Sequence, residues 1–214
     1  MESYNSLIKQ KIDESSYGSA FVVSDFTGIS DYATAKKSLA RLCDRGLIRR
    51  VIRGVYDKPQ YSELIKEYAA PDPNEVAMAI ARNFNWTIVP SGNAALNFMG
   101  LSTQVPTTWE FSSSGPYRDY RIGNIVIEFK HAASKDIAGM SPQTALLIQA
   151  IKAIGKDKVD LKVKGILDDR INNTDRELIL QEAQHTTAWV FSKIKDICSM
   201  RDDSDVRYSE IGSS

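Results

Sequence analysis

The sequence predicts an α+β protein: an N-terminal winged helix-turn-helix followed by an α+β domain with a small antiparallel sheet and C-terminal helices. Three observations carry this prediction. Between Asp31 and Lys58 a short basic helix runs straight into a basic, β-branched hairpin. Between Trp86 and Phe129 lie several short strand-like segments, two of them joined at Gly123-Asn124, and from Ser141 onward helical periodicity dominates. A group of strands followed by a group of helices is the pattern of a sheet backed by helices.

In chain order, residues 3 to 15 hold Leu7, Ile8 and Ile12 in a short amphipathic helix. Phe21-Val22-Val23 reads as a brief strand, and Ser24-Asp25-Phe26 as the cap of a second helix. The third helix is the best defined. Ala35, Leu39, Leu42 and Cys43 recur on one face of a 3.6-residue period, Ser30 or Asp31 caps its start, and Gly46 stands where a left-handed residue would end it. The opposite face carries Ala33, Thr34, Lys37, Ala40, Arg41 and Asp44, with Lys36 at its margin. Leu47 to Ile52 and Val55-Tyr56 then read as the two strands of a wing that turns at Arg53-Gly54. This completes a winged-helix domain over residues 1–58. Residues 59–73 are expected to be a linker, with a helical turn or two between Tyr61 and its proline-rich end at Pro73.

The second domain is placed at residues 74–200. It begins with a helix from Asn74 to Asn83 that turns Val76, Ala77 and Ile80 inward, then a strand from Trp86 to Val89. A short helix opens at Ser91-Gly92 with Ala95, Leu96 and Met99 on its apolar face. Strands follow at Thr108 to Ser112, Tyr117 to Ile122 and Ile125 to Phe129. Ser141-Pro142 is a strong helix start, serine as cap and proline in the first turn, for a helix reaching Gly155. Helices are predicted from Asp160 to Arg170 and from Thr174 to about Met200, the latter with Leu178, Ile179, Ala183, Val190, Ile194 and Ile197 facing a core. Residues 201–214, RDDSDVRYSEIGSS, lack apolar anchors and read as a disordered tail.

Global composition does not advertise a partner: the net charge is +0 and the chain is 43% hydrophobic and 25% charged. The charge is unevenly placed, however. Between Asp31 and Lys58 eight Lys/Arg face three Asp, a net of +5, whereas residues 59–214 hold 17 Lys/Arg against 20 Asp/Glu, a net of −3. A basic helix followed by a basic wing points to double-stranded DNA. Thr34, Lys37 and Arg41, with Lys36 beside them, are expected to read or clamp the major groove, and Arg49, Arg50 and Arg53 to hold phosphates or the minor groove from the wing. The mildly acidic second domain is expected to bind protein or a small effector. No apolar run reaches the roughly 18 residues of a membrane span, and Met1-Glu2-Ser3 opens without a signal peptide. A cytoplasmic protein without membrane contact is expected, its two cysteines, Cys43 and Cys198, reduced.

No catalytic residue, metal site or cofactor is expected. Phosphate-binding and hydrolase motifs are missing, and His131 and His185 lie in different elements. Asp119 with Glu128-Phe129-Lys130 has the composition of a metal-dependent nuclease site. Alternation along a half-exposed strand gives Glu128 and Lys130 the same facing without any function, and that reading is preferred. Trp86, Trp109 and Trp189 are most simply core aromatics.

The block SLARLCDRGLIRRVIRGVY, Ser38 to Tyr56, resembles the winged-helix domain of AbiEi-type antitoxins, the transcriptional autoregulators of abortive-infection and type IV toxin–antitoxin systems. The stretch VPSGNAALNFMGLSTQVPTTWEFSSSG, Val89 to Gly115, is similar to the related domain of AbiEi-like bacterial proteins. The resemblance implies a bacterial autorepressor that binds inverted repeats in its own operator and counteracts a nucleotidyltransferase-like toxin. It carries no catalytic residues over. Two other readings stand beside it: a regulator whose second domain binds an effector or dimerises, and an adaptor that uses the winged helix for protein contacts.

Overall fold

The computed structural model describes residues 3–133 and 137–200; the expected disordered tail, residues 201–214, lies outside them. The chain is α+β, with small antiparallel sheets and a helical C-terminal part. It divides into two compact units, Met1–Trp86 with Tyr120–Ile127, and Thr87–Asp119 with Glu128–Ser214.

The first unit begins with α1 (Tyr4–Glu14), whose Ile8 and Ile12 are buried. Strand β1 (Ala20–Val22) follows. The second helix expected at Ser24 is only a 3₁₀ turn, Val23–Phe26, because the Asp25 carboxylate turns back to accept from the Val22 amide at 2.9 Å. Helix α2 (Tyr32–Asp44) is capped by Asp31, whose carboxylate accepts from the Thr34 amide and hydroxyl at 3.0 and 2.7 Å. These bonds hold the Asp31 carboxyl below its ordinary value, the Thr34 hydroxyl contributing most. Gly46, at φ +71°, closes the helix as its position predicted.

Leu39 and Leu42 are essentially fully buried, at 0% and 1% exposure, each contributing about 2 kcal/mol of transfer free energy. They meet Ile8, Ile12, Phe21, Phe26 and Ile48 in the core of this unit, against which Cys43 is half-buried. Strands β2 (Arg49–Ile52) and β3 (Val55–Asp57) form the hairpin, and the sheet order is β1-β3-β2 with antiparallel pairing throughout. Helix, strand, turn, helix and hairpin is a winged-helix-like order.

Two expectations change beyond Lys58. Residues 61–68 are a hairpin, β4 (Tyr61–Ser62) against β5 (Glu67–Tyr68), and not a helical connector. The Tyr61 and Tyr68 rings pack edge-on at 5.2 Å across the two strands, and Lys66 adopts φ +53° to close the turn. Helix α3 (Pro73–Phe84), expected in the second domain, belongs to the first unit. Its Val76, Ala77 and Ile80 are buried. Arg82 donates to the Asp25 carboxylate at 2.9 and 3.1 Å and to the Ala20 carbonyl at 2.8 Å, which ties α3 to β1. The Asp25 hydrogen bonds raise the Arg82 pKa.

In the second unit β6 (Ile88–Ser91) leads into α4 (Gly92–Phe98) and β7 (Thr108–Ser113). Strands β8 (Arg118–Ile122) and β9 (Ile125–His131), whose residues 120–127 are assigned to the first unit, follow in the strand order β6-β7-β9-β8. Helix α5 (Pro142–Ile154) has Ser141 as its cap, as expected, and α6 (Leu161–Asp168) is capped by Asp160. The predicted long C-terminal helix is broken into α7 (Arg176–Ala183) and α8 (Ala188–Cys198), with His185 and the β-branched pair Thr186-Thr187 in the turn. Arg176, 11% exposed, donates to Asp168 at 2.5 Å and to the carbonyls of Ile197 and Cys198, where it caps the end of α8.

Glu182 on α7 accepts from Thr144 at 2.5 Å and from the Ser141 amide and hydroxyl at 2.8 and 2.7 Å. Desolvation pushes its carboxyl upward, but these bonds outweigh it and the net shift is downward from 4.5. A lowered folded-state value stabilises the protein fully above the unfolded value, and the stabilisation is lost as pH falls through the folded one. Glu182→Gln is therefore expected to lower the thermal midpoint at neutral pH. It should also flatten its fall on the acid side, measured by calorimetry between about pH 3 and 7.

Candidate nucleic-acid interface

Burial of Ala35, Leu39 and Leu42 fixes how α2 rolls, and so which side chains are left outside. Ala33, Lys36, Lys37, Ala40 and Arg41 are exposed on the helix, as are Arg45 at its C-terminal cap and Arg50 and Arg53 on the hairpin. Lys37, Arg41 and Arg45 stand four residues apart along one side. Like charges at that spacing destabilise a helix by about 0.2–0.5 kcal/mol per pair. Among the described residues none of Lys36, Lys37, Arg41, Arg45, Arg50 and Arg53 forms an ion pair. Small alanines at 33 and 40 lie between them and leave room for close approach.

Two of the eight cations between Asp31 and Lys58 are used internally. The Arg49 guanidinium donates to Asp57, its cross-strand neighbour, at 3.1 and 2.5 Å. Asp57 is 1% exposed, so its charge is held by Arg49, and the guanidinium expected to meet phosphate from the wing is engaged within the chain. Lys58 donates to the carbonyls of Asp13 and Ser15, both at 2.7 Å, and lies over the Tyr17 ring. Thr34 is also partly committed, since its hydroxyl proton goes to Asp31. Arg45 was missed by sequence reasoning because it sits at the helix end and off the counted face; its spacing of four from Arg41 was the available signal.

Arg53 lines a shallow cleft of about 260 Å³ with Tyr32, Asn83, Phe84 and Tyr120. The neighbouring Trp86 stacks on Phe84 at 4.8 Å, which places it as a half-buried surface aromatic and not a core one. Trp109 is buried and Trp189 packs against the core of the second unit.

The carboxylates and lysine of the second unit form a cross-strand ion-pair ladder. Lys130 donates to Glu110 at 2.7 Å and lies 3.7 Å from Glu128. The hydrogen bond to Glu110 is the chief cause of a raised Lys130 pKa, which favours the protonated ammonium. Asp119 lines the same open groove as Glu128 and Lys130. Among the described residues no group of three His, Cys, Asp or Glu converges to hold a metal. His131 Nδ1 donates to the Gly115 carbonyl at 3.0 Å. Among the described residues no helix is long and apolar enough to cross a membrane.

A family profile described as "Family of unknown function (DUF6088)" matches residues 7–179. No curated protein matches the chain. Among solved structures the chain is similar to that titled "Crystal structure of RV2827C protein from Mycobacterium tuberculosis", at 12% identity and a TM-score of 0.42. That match covers 93% of this chain and 77% of the other.

Proposed function

From its basic surface we propose that the chain, which belongs to the DUF6088 family of unknown function, binds double-stranded DNA through α2 and the wing and represses its own transcription. The observation that carries this reading is the set of six exposed cations on α2, its cap and the hairpin that have no carboxylate partner among the described residues. Their mutual repulsion is relieved by a polyanion, and a helix of this width fits the roughly 12 Å major groove of B-DNA. Lys37 and Arg41 would lie in or beside the groove, with Arg50 and Arg53 on flanking phosphates. Arg49 has no place in this contact set, and Thr34 serves it only as an acceptor.

The finer reading, an AbiEi-like type IV antitoxin acting against a nucleotidyltransferase-like toxin, is supported by the sequence resemblance of Ser38 to Tyr56 and Val89 to Gly115. The two parts are tested separately. In a reporter driven by the native upstream DNA, the wild-type chain should repress and Lys37→Ala with Arg41→Ala should derepress by about tenfold or more; equal expression with either would sink the repressor reading. Rescue of cells expressing a neighbouring nucleotidyltransferase tests the antitoxin reading alone.

A further inference from the structure

The first turn of α2 differs in hydrogen-bonding character from the rest of its exposed side. Asp31, Thr34, Lys37 and Arg41 follow one another at intervals of three, three and four residues, so they form one row along the helix. Lys37 and Arg41 offer only donors. Asp31 and Thr34 offer only acceptors. The Thr34 amide and hydroxyl both donate to the Asp31 carboxylate, at 3.0 and 2.7 Å, which leaves lone pairs on Asp31 and on Thr34 Oγ1 but no proton to give. These two bonds also hold the carboxylate in one orientation. Asp31 is exposed and its pKa is lowered, chiefly by the hydrogen bond from the Thr34 hydroxyl, so it stays ionised at neutral pH. Capping alone does not account for the charge. Serine or asparagine caps a helix as well as aspartate does, and a carboxylate on a surface that meets phosphates is repelled by them.

Resting on the DNA reading above, in which the start of a recognition helix is the part that reaches base edges, we propose that Asp31 is a specificity-determining residue that accepts a hydrogen bond from the N4 amino group of a cytosine in the major groove. Only cytosine and adenine present amino donors there. Adenine N6 lies beside the N7 acceptor of the same base, which would face the Asp31 and Thr34 acceptors and repel them, whereas cytosine shows its amino group with no acceptor on its own edge. An acceptor-only pair therefore selects cytosine, and the repulsion that Asp31 meets from phosphates is offset only where that donor is in place.

A binding panel tests this. The full chain and its Asp31→Asn variant are titrated against the upstream duplex, a scrambled duplex, and copies of the upstream duplex in which each base pair is changed in turn. Asparagine keeps the cap through its amide oxygen but turns the second carboxylate oxygen into a donor. For the wild type, changing at least one C·G pair should cost about tenfold in affinity, and so should N4-methylation of that cytosine, which removes the donor and keeps the base pair. Asp31→Asn should lose this preference, favour a purine with its N7 acceptor at that position, and bind the scrambled duplex about threefold more tightly because one negative charge is gone. An Asp31 that only caps the helix predicts the same base preferences in both proteins. That result would overturn the proposal, as would a wild type indifferent to the amino group of every cytosine. The N4-methyl arm uses wild-type protein alone, so it decides the matter even if the variant fails to fold. A wild type that prefers the upstream duplex but ignores cytosine leaves the DNA reading standing, and one that binds neither duplex overturns both.

Discussion

Arg49→Ala is expected to destabilise the first unit by about 2–3 kcal/mol while leaving the affinity of the folded protein for DNA within about twofold of wild type. Asp57 is 1% exposed and its charge is answered by the two nitrogens of Arg49. Removing Arg49 strands a carboxylate among buried residues, a change that costs about 3–5 kcal/mol in fully buried pairs. The estimate is set lower because the Arg49 side chain is 33% exposed and water reaches one side of the pair. Arg49→Ala with Asp57→Ala should recover much of the loss, since the penalty lies in the unpaired charge and not in the absence of the bond. Urea titrations of the two single variants and the double variant measure the coupling. If Arg49→Ala is as stable as wild type and loses DNA affinity, Arg49 is a phosphate contact after all.

Replacing Lys37, Arg41, Arg50 and Arg53 together by alanine is expected to reverse that pattern. With each of the four neutralising one phosphate in or beside the groove, the slope of log affinity against log salt would fall by about 3–4 units, and affinity should drop at least about a hundredfold near 0.1 M salt. Stability should hold or rise slightly, because the residues are exposed and unpaired among the described residues and their removal relieves repulsion along α2. A variant that unfolds would show that these side chains have structural partners, and one that binds DNA normally would place the interface elsewhere.

Much of the fold was legible because local signals agreed. Asp31, the Ala35–Leu39–Leu42 stripe and Gly46 each specify α2 independently, and Ser141-Pro142 does the same for α5. Where local signals were weak, tertiary contacts decided. Tyr61 and Tyr68 are seven apart, a spacing compatible with two helical turns, and only their ring contact across the strands shows the hairpin. Helix α3 has an apolar face whichever unit it joins; the Arg82 bonds to Asp25 and Ala20 that place it span more than fifty residues. The interface was legible as a concentration of charge and not as a contact set. Counting Lys and Arg could not separate Arg49 and Lys58, which serve Asp57 and the carbonyls of Asp13 and Ser15, from the cations without an ion pair among the described residues. Nothing in the spacing of Arg49 and Asp57 marks them as partners until the β2–β3 register sets them opposite each other.

The measurement to make first is a titration of the purified chain against its own upstream DNA and a scrambled duplex at two salt concentrations. Binding through α2 and the wing predicts tighter association with the upstream DNA and a loss of at least about tenfold in affinity between 50 and 200 mM salt on both duplexes. Absence of binding to either duplex at the lower salt, or binding that salt does not weaken, would contradict it and turn the basic surface over to an acidic protein partner.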